Sequence, residues 1–90
     1  MDGMDDGALV GTPKKSARRP RLEALVRLGE RIRDERRRRG YTQAELAESL
    51  NLSVAYVSLI ERGGRNPPYT TVVDIARALG VPAAQMVPDA

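Results

Sequence analysis

Between Thr42 and Gly64, helix start and stop signals follow one another so closely that only two short helices and a tight bend fit there. Thr42 followed three residues later by Glu45 has the form of a capping box, in which a hydroxyl and a carboxylate satisfy orphan backbone N–H groups at a helix start. Leu46, Ala47 and Leu50 then give an inward face, which predicts a helix over 43–50. Asn51 tolerates the left-handed conformation that ends a helix, Leu52 points inward, and Ser53 caps the helix that follows. That third helix of the chain buries Val57 and Ile60 and stops at Gly63-Gly64. Asn51, Leu52 and Ser53 join the pair, and small Ala47, one turn before the bend, permits a close, steep crossing of the two backbones.

The flanking sequence is helical as well. Leu22, Leu25, Leu28 and Ile32 recur at the spacing of one helical face, and Gly40 offers a left-handed stop, so a first helix is predicted over 22–39. Arg65-Asn66-Pro67-Pro68 reads as a loop, after which Val72, Ile75, Ala76 and Leu79 mark a fourth helix ending at Gly80. Val81, Met86 and Val87, between Pro82 and Pro88, suggest one or two further helical turns. With no strand pattern and no internal repeat, the chain reads as all-α. Residues 1–20 hold three Gly, two Pro and no apolar period, which cannot offset the entropy of ordering, so they are expected to form a basic, disordered arm before a single domain over 21–90.

Charge is distributed in blocks. Residues 13–39 carry twelve bases and four acids, whereas the segments on either side are net acidic. An electropositive block of this kind attracts polyanions, nucleic acid first, with a strength that salt weakens. Arg36, Arg37, Arg38 and Arg39 also suit the negative end of a helix dipole, and Lys14, Lys15, Arg18, Arg19 and Arg21 either lie along phosphates or form a solvated leader. Cys, His, Phe and Trp are absent from the 90 residues. Disulfide scaffolds, Cys/His zinc sites and Cys- or His-based catalytic pairs are thereby excluded, and no catalytic residue, metal or cofactor is expected. No apolar run approaches the roughly 18 residues of a membrane span, and no leader with a cleavage site is evident, so a cytoplasmic, nucleoid-associated chain without membrane contact is expected.

Two short helices with this bend make a helix-turn-helix arrangement, which many all-α proteins contain without binding nucleic acid. The residues add more. Leu28-Gly29-Glu30-Arg31-Ile32-Arg33, Gly40-Tyr41-Thr42-Gln43-Ala44-Glu45-Leu46-Ala47, Ser53 through Gly63, Arg65-Asn66-Pro67 and Ile75-Ala76-Arg77-Ala78-Leu79-Gly80-Val81 resemble the Xre/Cro phage-repressor-like family over about residues 25–87. That resemblance implies a five-helix bundle of the phage-repressor-like DNA-binding type, with the helix at 53–62 in a major groove and the preceding helix across the backbone.

The resemblance further implies roles for individual residues. Gln43 opens the second helix, where relatives contact a phosphate or base edge; its other role is a plain polar residue of the first turn. Ser53, Val54, Ala55 and Ser58 fall on the tip and outer face of the probing helix, and Arg62 at its end. Tyr56 either reaches the DNA backbone or packs on the first helix. Arg65 and Asn66 resemble loop residues that meet flanking phosphates, although Asn before Pro is also ordinary turn chemistry. Three departures stand out. Val54 and Ala55 occupy positions where relatives place polar readers, so direct readout should be sparse, with thymine methyls and operator deformability supplying the remainder. Glu35 stands where relatives have Leu, which calls for an ion pair with Arg33, Arg62 or Arg65, or for exposure. Pro68 and Pro82 replace capping Ser at the starts of the last two helices. Glu61 is expected to pair with an Arg of the first helix.

The reading that follows is a sequence-specific, double-stranded DNA-binding transcriptional regulator, a repressor or controller rather than an enzyme, that acts as a homodimer on an inverted-repeat operator. The dimer surface is expected at Leu79, Val81, Met86 and Val87. The alternatives are an antitoxin or other protein-interaction module, with a toxin or another protein as partner, and an RNA-binding bundle. Phage repressor, restriction-modification controller and antitoxin are not separated by the residues.

Overall fold

The computed structural model describes residues 13–87, with side chains from Leu22 onward. Five helices follow one another: α1 (Pro13–Arg38), α2 (Gln43–Leu50), α3 (Val54–Glu61), α4 (Tyr69–Leu79) and α5 (Ala83–Met86). No strand occurs among the described residues.

Helix ends follow from local chemistry. Thr42 Oγ1 accepts from the Glu45 N–H at 3.0 Å while Glu45 Oε1 accepts from the Thr42 N–H at 2.9 Å, which closes the capping box in both directions. Ser53 Oγ accepts from the Tyr56 N–H at 3.0 Å at the start of α3. α4 and α5 begin directly after Pro68 and Pro82 with no side-chain cap, in keeping with the loss of a capping hydroxyl there. At the other ends, α1 to α4 all stop in the same way: one residue turns left-handed, and the two N–H groups from that residue and the next bond back three and five positions. Asn51, at φ 58°, is the non-glycine member of that set, and its short polar side chain is what makes the conformation accessible.

α1 departs from expectation. It begins at Pro13 instead of residue 22 and ends at Arg38. Residues 1–12 of the expected arm lie outside the described residues, and 13–20 are helical backbone continuous with α1. Apolar period, the signal used to place the start, reports packing and not helicity. Pro13, whose fixed φ suits a first helical turn, opens an extension past the packed part of the helix, which runs on through Pro20 although that residue supplies no N–H to the ladder. Consistently, Leu22 is 48% exposed and does not enter the core as its spacing suggests, and Leu25 is half-buried.

The core is drawn from every helix: Leu28 and Ile32 of α1, Leu46 and Ala47 of α2, Val57 and Ile60 of α3, Val72, Ile75, Ala76 and Leu79 of α4, and Met86 of α5. Leu79 and Met86 are at most 1% exposed, so the expected dimer surface cannot include them; of that set Val81 is half-buried and Val87 exposed. α5 is too short to hold its place by backbone bonding, and inserting Met86 is how it stays on the bundle.

α1 and α3 cross in backbone contact. A Cβ on Gly29 would overlap the carbonyl oxygens of Ile60 and Glu61, so no side chain fits there. Gly63, at φ 78°, lies against Val26, which seats the end of α3 on the same helix.

Candidate nucleic-acid interface

α3 presents its first turn to solvent. Ser53, Val54 and Ala55 are exposed, Val54 at 46%, while Tyr56 and Ser58 are half-buried and Val57 and Ile60 point inward. A capped, eight-residue helix with a free tip is the shape that enters a major groove about 12 Å wide. Among the described residues nothing occludes the tip, and cationic groups stand beyond its far end.

Those cations are Arg62, exposed at the end of α3, and Arg65, exposed in the α3–α4 loop beside exposed Asn66. The Arg65 guanidinium lies over the Tyr56 ring, 5.7 Å from its centroid. Tyr56 is thus a half-buried platform beneath a loop cation.

A buried polar network holds α3 in place. Arg36 Nε donates to Glu61 Oε2 at 2.7 Å and Arg36 Nη2 to Glu61 Oε1 at 3.1 Å, a two-pronged bond that matches the guanidinium fork to the carboxylate. The two side chains are 9% and 2% exposed. Arg36 Nη1 donates to the Tyr41 carbonyl at 2.7 Å, and Gln43 Nε2 donates to Glu61 Oε1 at 2.9 Å. One carboxylate therefore ties α1 and the first residue of α2 to the end of α3, and Arg36 carries the tie on to the α1–α2 turn. The expected pairing of Glu61 with an arginine of the first helix is met by Arg36, which for that reason takes no part in the exposed basic surface.

Several side chains fall elsewhere than expected. Glu35, half-buried, pairs with Arg38 one turn along its own helix at 3.4 Å, not with Arg33, Arg62 or Arg65. The reason is geometric: an i,i+3 partner is within reach without any tertiary constraint. Arg33 is half-buried with its Nε out of reach of a hydrogen-bond acceptor among the described residues. Gln43, expected at a phosphate or base edge, is half-buried and has one amide N–H turned onto Glu61. Arg39 reaches the Gly80 carbonyl at 3.4 Å, and Arg31 donates to the Gln85 carbonyl at 2.7 Å, which fastens α5 to α1.

Reading the sequence did not single out Gly29 or the tie between Gln43 and Glu61. A glycine in the interior of a helix, where it costs about 1 kcal/mol relative to Ala, was a signal for the first. The second has no local signal. Among the described residues no group of three metal-ligating side chains occurs, and no helix is long and apolar enough to cross a membrane.

Comparison with known proteins agrees with this geometry. The chain is 42% identical over 60 residues to the immunity repressor protein of Bacillus phage phi105, across 67% of this chain and 42% of that one. It is 40% identical over 60 residues to the uncharacterized HTH-type transcriptional regulator YazB of Bacillus subtilis, across 67% of this chain and 87% of that one. Its fold superposes with a TM-score of 0.67 and 34% identity on the restriction-modification controller protein C.AhdI from Aeromonas hydrophila, covering 69% of this chain and 94% of the controller. The chain thus spans less than half of the phage repressor's length and most of the other two. Residues 32–85 match the helix-turn-helix family, and the chain belongs to that family of DNA-binding transcriptional regulators.

Proposed function

We propose that this chain represses or controls transcription by binding duplex DNA as a homodimer on an inverted-repeat operator, with α3 in the major groove and α2 crossing the sugar-phosphate rim. The observation that carries the reading is the free tip of α3, held rigid by the Arg36–Glu61–Gln43 network and followed by exposed Arg62, Arg65 and Asn66. In this arrangement Arg62, Arg65 and Asn66 meet phosphates, which set register, while Ser53, Val54, Ala55 and Ser58 face base edges. Gln43 acts from the rim, where its remaining amide atoms are directed by Glu61.

Pairing is argued from coverage. One helix tip spans too few base pairs for tight selection, and two related by a twofold axis about 34 Å apart fit successive major grooves. The basic stretch at 13–21, with five bases and no acid, adds sequence-independent attraction to phosphates ahead of the domain. The absence of Cys and His supports a role without Cys- or His-based catalysis.

Selection of bound sequences from a random duplex library, with affinity measured against salt concentration, tests the reading. An enriched inverted repeat and a steep salt slope are expected. A flat slope with no enriched motif would leave a protein-interaction module in its place.

A further inference from the structure

Part of the polar capacity around the tip of α3 is already engaged. Ser53 Oγ accepts the Tyr56 N–H at 3.0 Å and so serves the helix start. Gln43 Nε2 is held by Glu61 at the opposite end of α3, seven residues and about 10 Å along the helix axis from Val54. The Tyr56 ring is half-buried and covered by the Arg65 guanidinium. Beside the Ser53 O–H, the leading edge presents the exposed Val54 isopropyl group and the exposed Ala55 methyl, with the half-buried Ser58 hydroxyl one turn behind.

An apolar surface in a major groove has one complementary feature to touch. The floor of that groove is lined by donors and acceptors, and its one large apolar group is the C5-methyl of thymine, where cytosine has only a C5–H. Val54 placed against a carbonyl or amino edge, of either kind of pair, would dehydrate a polar group without replacing its hydrogen bond, which leaves the thymine methyl as the favourable contact.

Resting on the groove-binding reading above, we infer that Val54, with Ala55 beside it, reads the operator through the C5-methyl groups of thymine. Specificity at those steps is then a matter of removing methyl surface from water and not of hydrogen bonding.

The test begins with the half-site selected from the random library and replaces each thymine in turn by deoxyuridine, which lacks only the methyl. At the step facing Val54 the full-length protein loses about fourfold in affinity, the transfer value of one methyl-sized group. The Val54→Ala variant closes the cycle. Val54 is 46% exposed, so its loss leaves the fold and the melting temperature unchanged, and the variant binds the thymine and deoxyuridine duplexes equally. Deoxyuridine effects that are absent throughout, or that are the same size in Val54→Ala as in the parent, overturn the inference while leaving DNA binding intact. Failure to bind any duplex overturns both this inference and the groove-binding reading.

Discussion

Replacing Glu61 by Ala removes the acceptor of three hydrogen bonds at once, two from Arg36 and one from Gln43. The Arg36 side chain is 9% exposed, and after the change only the Tyr41 carbonyl remains to it, so a guanidinium charge is left buried without a counter-ion. Stranding one partner of a buried pair costs about 3–5 kcal/mol. A core of this size contributes only about 3–5 kcal/mol of net stability, so the variant should be largely unfolded at room temperature or nearly so. The expected fall in melting temperature is about 12 °C or more, from about 4 °C per kcal/mol at the low end. Urea and thermal unfolding followed by far-ultraviolet circular dichroism measure it. The companion variant, Arg36→Met with Glu61→Leu, removes both charges and should recover most of the loss, because packed apolar groups of similar volume replace buried ion pairs at little cost. A Glu61→Ala loss below about 1 kcal/mol, or a double variant as unstable as the single one, would refute the reasoning that an unpaired buried charge is what the native pair prevents.

Three further outcomes are expected. Gly29→Ala forces α1 away from the Ile60 and Glu61 carbonyls and should destabilise by about 1–3 kcal/mol in urea titration, although Ala is the better helix former. Thr42→Ala opens the capping box and should cost about 1 kcal/mol, seen in the same titration and as faster hydrogen exchange of the Glu45 amide. Arg65→Ala should weaken random and selected duplexes by the same factor and lower the slope of log affinity against log salt by about 1, as expected of a phosphate contact; a change in the selected sequence instead would place Arg65 at a base.

The helix boundaries from Thr42 to Gly80 were legible from single residues. A cap is satisfied within five positions of itself, so Thr42 with Glu45, Ser53 with Tyr56, and the left-handed stops at Asn51, Gly63 and Gly80 carry their full physical cause in the adjoining chain. The buried faces were legible for the same reason, since period 3.6 names the inward side of a helix, although it also named Leu22, which lies beyond the packed part of α1. Even so, the period set the start of α1 nine residues late, because Pro13 to Arg21 is helical without the apolar pattern that would have announced it.

Tertiary structure decided which arginine answers Glu61, since any of several bases on the first helix suited the expectation and only the crossing of α1 over α3 brings Arg36 within 2.7 Å across 25 positions. It also turned the Gln43 amide onto Glu61, 18 positions away, paired Glu35 within its own helix, and enclosed Leu79 and Met86 in the core of one chain. These are contests among partners of equal chemistry. Distance settles them, and distance between remote residues exists only once the backbone has its path.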